Sequence, residues 1–91
     1  MQNVRVAAGG VTENKIAFDW DVTSRDCDTK HTCYRMHDNS EIHENTLPCK
    51  FAGFLLPNLQ SGYHYKCEFE NIKGSEKSEV VSIEKHTGNL F

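Results

Sequence analysis

The sequence lacks the features that mark several common classes of protein. No apolar run approaches the ~20 residues of a membrane span, and no hydrophobic leader precedes the first alternating segment. Positive charge is not in excess, because 10 Lys and Arg stand against 13 Asp and Glu, a net charge of −3. A nucleic-acid-binding domain needs a basic face. We therefore expect no direct membrane insertion of this segment and no nucleic-acid partner.

Motifs for catalysis are missing as well. The sequence has no serine nucleophile elbow and no phosphate-binding glycine loop, since Gly9-Gly10 alone is typical of a β-bend. A reactive cysteine needs an electropositive, partly exposed setting. Cys67 is predicted to point inward, and Cys27 is flanked by two aspartates that disfavour a thiolate. We therefore expect no enzymatic activity, no catalytic residue and no cofactor.

What the sequence does contain is four cysteines in 91 residues. An even count in a small domain favours two disulfides and an oxidising, extracellular location, with the chain as part of a longer protein. Cys27 and Cys33 flank one short loop, so we expect them to bond to each other, and Cys49 then pairs with Cys67. The alternative, Cys27–Cys49 with Cys33–Cys67, stays open because Cys33 and Cys67 lie on neighbouring predicted strands. The competing hypothesis is an intracellular scaffold with four free thiols.

A zinc site is a weaker alternative. Metal-ligand residue types cluster in the first half of the chain, at Cys27, His31, Cys33, His37, His43 and Cys49. The spacing lacks the paired Cys-x2-Cys motifs that are typical of zinc sites. On a strand, Cys33 and His37 would lie ~13 Å apart, because each residue rises ~3.3 Å. We therefore predict no metal site.

Short alternating segments separated by turn residues extend along the whole chain, with no helical periodicity. The predicted strands cover residues 4–6, 15–22, 33–37, 41–46, 51–56, 63–72 and 78–85. This pattern predicts an all-β fold, a seven-stranded antiparallel β-sandwich that forms one domain over residues 1–91. The predicted core comprises Ile16, Phe18, Trp20, Tyr34, Met36, Phe54, Leu56, Leu59, Tyr65 and Phe69.

The segment from Leu59 to Tyr65 predicts a corner between the two sheets. The leucine closes the edge of the core, a glycine allows the turn, and the tyrosine hydroxyl ties the corner backbone. Together with the strand that ends in Trp20 and the closing strand up to Thr87, this segment resembles a fibronectin type III domain, an immunoglobulin-like β-sandwich. The resemblance covers nearly the whole chain. The family usually has proline in the corner, where this chain has Ser61, and most of its members have no disulfides.

Three short segments, Cys27-Asp28-Thr29, Tyr34-Arg35 and Tyr65-Lys66-Cys67, resemble receptor-type tyrosine phosphatase ectodomains of the leukocyte common antigen type. The resemblance implies a non-catalytic adhesion or spacer module of a cell-surface receptor, with any phosphatase activity elsewhere in the parent chain. The expected partners are a protein ligand or neighbouring domains of that receptor.

The expected partner-binding residues are Arg25, Lys73 and Lys77. They lie in loops predicted at one end of the sandwich, and loops carry function more often than strands. The polar edge strand near Ile42 is a second candidate surface, because an edge strand presents unpaired backbone groups.

Overall fold

The computed structural model of the protein describes residues 2–88, which form eight strands and no helix. The strands are β1 (Gln2–Val11), β2 (Ile16–Asp21), β3 (Asp28–Arg35), β4 (Ser40–Pro48), β5 (Gly53–Leu56), β6 (His64–Lys73), β7 (Glu76–Lys77) and β8 (Val81–His86). Residues 1 and 89–91 of the predicted domain lie outside the described range. No helix within that range is long and apolar enough to cross a membrane.

The strands form two antiparallel sheets, and the predicted β-sandwich is confirmed. The first sheet has three strands in the order β1-β2-β5, and the second has five, in which β3 lies between β4 and β6. β7 and β8 pair with successive parts of β6. The predicted closing strand over residues 78–85 is therefore displaced and interrupted, because residues 78–80 leave the ladder between β7 and β8. This interruption accounts for the eighth strand.

The core fills the space between the sheets with alternate residues of β2, β3 and β6, as the two-residue period of a strand requires. Its buried members are Ile16, Phe18, Trp20, Cys33, Leu56, Tyr65, Cys67 and Phe69, with Phe54 and Leu59 packed against them. The rings of Phe18 and Phe69 meet edge to face across the sheets with centroids 5.2 Å apart. The indole N–H of Trp20 donates to the Phe51 carbonyl at 3.1 Å, so this buried polar group is satisfied.

The register predicted for β3 is wrong. The strand begins at Asp28 rather than at residue 33, and its buried residues are Thr29, His31 and Cys33. Tyr34 is half-buried and follows an inward-facing residue, so it lies on the opposite side of the sheet. Met36 follows the end of the strand and is also half-buried. Because the side chains of a strand alternate between faces, a shift of one residue exchanges the two faces.

The predicted corner between the sheets is confirmed. Tyr65 is 3 % exposed, and its hydroxyl accepts a hydrogen bond from the Gln60 N–H at 3.0 Å. Leu59 packs against the core. Gly62 has a φ of 74°, a left-handed conformation that glycine adopts without steric cost. The corner is further held by Thr87, whose hydroxyl donates to the Gln60 carbonyl at 2.5 Å.

The two ends of the described chain lie at opposite ends of the sandwich. Gln2 pairs with Asp21, at the end of β2. At the other end, the Gly88 N–H donates to the Thr12 carbonyl at 2.9 Å, in the turn that joins β1 to β2. The molecule is elongated, with principal extents of 44 × 27 × 17 Å.

Candidate functional site

Two disulfides form, but the favoured pairing is wrong and the alternative pairing is correct. Cys27 bonds to Cys49, and Cys33 bonds to Cys67. Cys33 and Cys67 occupy directly opposite positions on β3 and β6, with Cα atoms 4.1 Å apart. Cys27 precedes β3 and Cys49 follows β4, where the Cys49 N–H donates to the Cys27 carbonyl at 2.9 Å.

The favoured pairing fails because β3 is longer than predicted. Cys27 directly precedes β3 and Cys33 lies near its far end. Their Cα atoms are therefore ~20 Å apart, because a strand rises ~3.3 Å per residue. A disulfide needs Cα atoms within ~7 Å. All four sulfurs are bonded, so no thiolate is available to act as a nucleophile or a metal ligand. Within residues 2–88, no group of three or more His, Cys, Asp or Glu could hold a metal ion.

The most unusual buried group is His31, which is fully enclosed between the sheets. Its ring lies 4.0 Å from that of Phe54 and 5.3 Å from that of His43, measured between centroids. Neither nitrogen of His31, nor Nε2 of His43, has a hydrogen-bond partner among the described residues. Burial, reinforced by the nearby His43, lowers the pKa of His31 to about 4. His31 is therefore uncharged at neutral pH.

The structure brings the predicted partner-binding loops together at one end of the sandwich. Arg25 and Lys73 line the same open cavity of about 390 Å³, beside the Cys27–Cys49 disulfide. The Lys73 ammonium lies 3.2 Å from the Asp26 carboxylate, and both side chains are largely exposed. Lys77 lies on the neighbouring strand β7, in a separate cavity of about 270 Å³ that Lys73 also lines. Partner binding by these three residues stays a prediction.

The predicted edge strand is present and longer than expected. β4 pairs with β3 along its whole length and forms the edge of the five-stranded sheet. Ile42 is 38 % exposed on this strand. Its neighbours along β4 are mostly polar and exposed, which is how natural proteins discourage unwanted strand pairing.

A third surface, which the sequence did not predict, covers the outward side of the five-stranded sheet. Residues directly opposite each other on antiparallel strands share a face. The register therefore places Tyr34 with Glu41 and Lys66, and Thr32 with Glu44 and Glu68. By the same rule, Glu70 faces outward opposite Lys30, and Glu84 opposite Lys66. We call this surface the acidic face, defined by Glu41, Glu44, Glu68, Glu70 and Glu84 around Tyr34.

Tyr34 lies at the centre of the acidic face. The Lys66 ammonium stands 5.2 Å from the centroid of its ring, within the range of a cation–π contact. Partial burial and a hydrogen bond with the Glu68 carboxylate raise the pKa of Tyr34, and the charges of Glu41 and Glu44 raise it further. The phenol of Tyr34 therefore lies in a negative electrostatic potential.

One signal in the sequence pointed to this surface. Cys67 was expected inward between Tyr65 and Phe69, and it is. A disulfide from Cys67 to the neighbouring strand requires that Cys33 also point inward. Inward orientation of Cys33 places Tyr34 outside. The alternative cysteine pairing and an inward Tyr34 were thus incompatible, and the structure resolves the conflict in favour of the disulfide.

Comparison with solved structures identifies the fold. The human collagen α-1(XX) chain fn3 domain aligns with a TM-score of 0.80 and 20 % identity, covering 99 % of this chain and 85 % of that one. A two-domain fibronectin type III segment of chicken tenascin aligns at 0.73 and 22 % identity, covering 93 % and 47 %. A computationally redesigned β-sandwich protein aligns at 0.81 and 22 % identity, covering 98 % and 94 %. No protein-family model and no curated protein matches the sequence significantly. The chain has the fold of a fibronectin type III domain.

Proposed function

We propose that the chain is a non-catalytic extracellular module of a cell-surface receptor, which spaces neighbouring domains and binds a protein partner. The two disulfides carry this proposal. Such bonds persist in oxidising compartments and are rare in the cytosol, where thiols are kept reduced. Both bonds join segments distant in sequence, with separations of 22 and 34 residues, and so constrain the unfolded chain.

Thiol alkylation tests this proposal. Purified protein is denatured without reductant, treated with an alkylating agent and weighed by mass spectrometry, in parallel with a reduced sample. We expect no modification before reduction and four additions after it, one for each cysteine. Four additions without reduction would instead support the intracellular scaffold with free thiols. Peptide mapping under acid should find Cys27 linked to Cys49.

The spacer role is supported by the shape of the sandwich. Gln2 and Gly88, where the described chain begins and ends, lie at opposite ends of a body 44 Å long, so modules joined head to tail would form an extended rod. The tenascin segment contains two domains of this fold. Small-angle scattering of this chain joined to a second copy through its native flanking residues tests the role. An elongated particle is expected, and a compact one would contradict it.

The proposed partner-binding surface is the end that holds Arg25, Lys73 and Lys77. The shared cavity beside the Cys27–Cys49 bond supports the first two residues. Arg25→Glu with Lys73→Glu should change stability by under ~0.5 kcal/mol per site, as surface substitutions usually do. Fluorescent tetramers of this variant should bind partner-bearing cells more weakly and with less dependence on salt. Unchanged binding would reject this surface.

The finer proposal is that the parent protein is a receptor-type tyrosine phosphatase of the leukocyte common antigen type. It is supported by the three cysteine- and tyrosine-containing segments at residues 27–29, 34–35 and 65–67. In that case phosphatase activity belongs to another part of the parent chain. Sequencing the transcript downstream of this segment tests the proposal, since a membrane span followed by a phosphatase domain is expected.

A further inference from the structure

We propose that the acidic face binds an arginine-bearing segment of a partner protein, with one guanidinium seated beside Tyr34. The inference rests on the proposed role as a protein-binding module, but it assigns a surface different from the end loops around Arg25 and Lys73. The proposed occupant is a cationic protein segment because of the shape and charge of this side of the sheet.

A pocket of the right size lies at the centre of the acidic face. Its volume is about 180 Å³, and Lys30, Thr32 and Tyr34 of β3 form one side. Glu68 and Glu70 of β6 form the other side, and Val80 lies at the margin. The pocket therefore combines an aromatic ring, two carboxylates and an apolar rim with one ammonium group, that of Lys30, which is paired with Glu44.

The charge of the surrounding face favours a cation. Six carboxylates, the five of the acidic face and that of Asp28, share this side of the sheet with three ammonium groups, those of Lys30, Lys66 and Lys77. Lys30 pairs with Glu44 at 3.4 Å. Within residues 2–88, Glu41, Glu68 and Glu70 form no salt bridge. The Lys66 ammonium over the Tyr34 ring shows that this ring already holds a cation on the same side of the sheet.

Arginine fits this pocket better than lysine. A guanidinium is planar, so it stacks on an aromatic ring and donates paired hydrogen bonds to carboxylates. The Glu68 and Glu70 side chains supply such acceptors on the same strand as Lys66. A lysine ammonium is a compact, strongly hydrated charge and lacks the planar, paired donors that match two carboxylates.

The apolar rim accounts for the rest of an arginine side chain. Val80 is 52 % exposed, at the point where the edge strand is interrupted between β7 and β8. The aliphatic stem of an arginine packs on such surfaces while its charged end stays hydrogen-bonded. An extended segment can reach this rim from the open edge of the sheet.

Peptide binding tests the inference. The probe is a short fluorescein-labelled peptide that alternates arginine with valine, measured by fluorescence anisotropy with the intact, oxidised domain. Identical peptides carry lysine or neutral citrulline in place of arginine. We expect the arginine peptide to bind most tightly, the citrulline peptide not to bind, and affinity to fall as salt rises. Amide chemical shifts should change on β3 and β6.

Variants with matched charge separate a site from general attraction. Glu68→Gln with Glu70→Gln should weaken binding about tenfold, because it removes two charge-assisted contacts. Glu13→Gln with Glu76→Gln removes the same charge from a turn and from β7, at positions outside the face, and should leave affinity unchanged. Tyr34→Leu should abolish the preference for arginine over lysine. Each variant should keep the melting temperature of the parent within a few degrees.

Three results would overturn the inference: equal binding of the lysine peptide, equal weakening by both glutamine pairs, or shift changes confined to other surfaces. The outcome is separable from that of the proposed function. Arg25→Glu with Lys73→Glu should not weaken the arginine peptide, and thiol alkylation reports on the compartment without regard to this face.

Discussion

On β3, His31 and Cys33 point into the sandwich and carry no charge at neutral pH, whereas Lys30, Thr32 and Tyr34 point outward among carboxylates. The same contrast holds along β6. Its inward residues Tyr65, Cys67 and Phe69 are buried, and the outward residues between and beside them, Lys66, Glu68 and Glu70, are half-exposed. The inner face thus supplies packing and cross-linking, and the outer face supplies charge.

The contrast shows where this small domain has freedom to vary. Substitutions on the inner face remove contacts that cannot be replaced, because protein interiors are close-packed. Substitutions on the outer face exchange one solvated group for another. The acidic face can therefore be adapted to a partner with little loss of stability.

The largest effect should come from the most buried aromatic ring. Phe69 is 0 % exposed and contacts Phe18, Trp20 and Phe54. Phe69→Ala should cost ~3–5 kcal/mol of unfolding free energy. Glu70→Ala, its neighbour on the outer face, should cost under ~0.5 kcal/mol. Urea denaturation measures both, and similar costs would remove the contrast between the faces.

The two disulfides should differ because only one lies within the inner face. Chain entropy predicts ~3–4 kcal/mol for each bond, with only ~0.4 kcal/mol between loops of 34 and 22 residues. Cys33 and Cys67 are both buried in the core, so replacing them with alanine also leaves a cavity. Cys33→Ala with Cys67→Ala should therefore destabilise more than Cys27→Ala with Cys49→Ala. Guanidinium denaturation of the two double variants measures both losses of unfolding free energy. A smaller loss in Cys33→Ala with Cys67→Ala would contradict this account.

Acid should lower the stability of the fold through the buried imidazole of His31. The pKa of His31 falls from the ordinary 6.5 to about 4 on folding, so the unfolded chain binds more protons between these values. Stability should be intact above pH 6.5 and fall by roughly 3 kcal/mol as the pH drops to about 4. In His31→Leu this part of the pH dependence should disappear.

His37→Gln is the matched control, because it removes an exposed histidine instead of a buried one. Denaturation at a series of pH values gives both curves. The titratable group that acts on His31 is His43 on β4, while Phe54 of β5 and Phe69 of β6 bring no charge against it. A parent slope retained in His31→Leu would assign the acid sensitivity to other groups.

The smallest effect on the inner face should come from the loss of a single atom. Tyr65→Phe keeps the buried ring and removes the hydroxyl that accepts from the Gln60 N–H. The expected cost is about 1 kcal/mol, because a partly buried backbone donor loses its partner. Thermal unfolding measures it, and an unchanged melting temperature would show that the corner does not depend on this bond.

The sequence predicted the fold well where one face is strongly apolar. The alternation of Ile16, Phe18 and Trp20 on β2 left only one register, and Tyr65 fixed the corner. β3 was harder, because its inward residues Thr29 and His31 are polar by type and its outward Tyr34 is aromatic. Hydrophobic periodicity carries no information where packing and a disulfide override residue type.

Of the candidate surfaces, the sequence predicted the end loops but not the acidic face. The end loops of Arg25 and Lys73 follow from connectivity alone, which places loops between neighbouring strands at one end. Predicting the acidic face would have required the pairing register of three strands, because its carboxylates come from β4, β6 and β8. Charges that far apart in sequence come together only when the pairing is known.

The Cys33–Cys67 bond also sets how far the domain stretches under load. A force applied through the two chain ends pulls on strands whose ends lie at opposite ends of the sandwich. If the fold ruptures, the covalent bridge bypasses 34 residues, about 120 Å of extended chain at ~3.5 Å per residue. The Cys27–Cys49 loop overlaps that bypassed segment and removes no further length. A reductant would therefore convert a short tether into one that yields about 120 Å more before tension is transmitted.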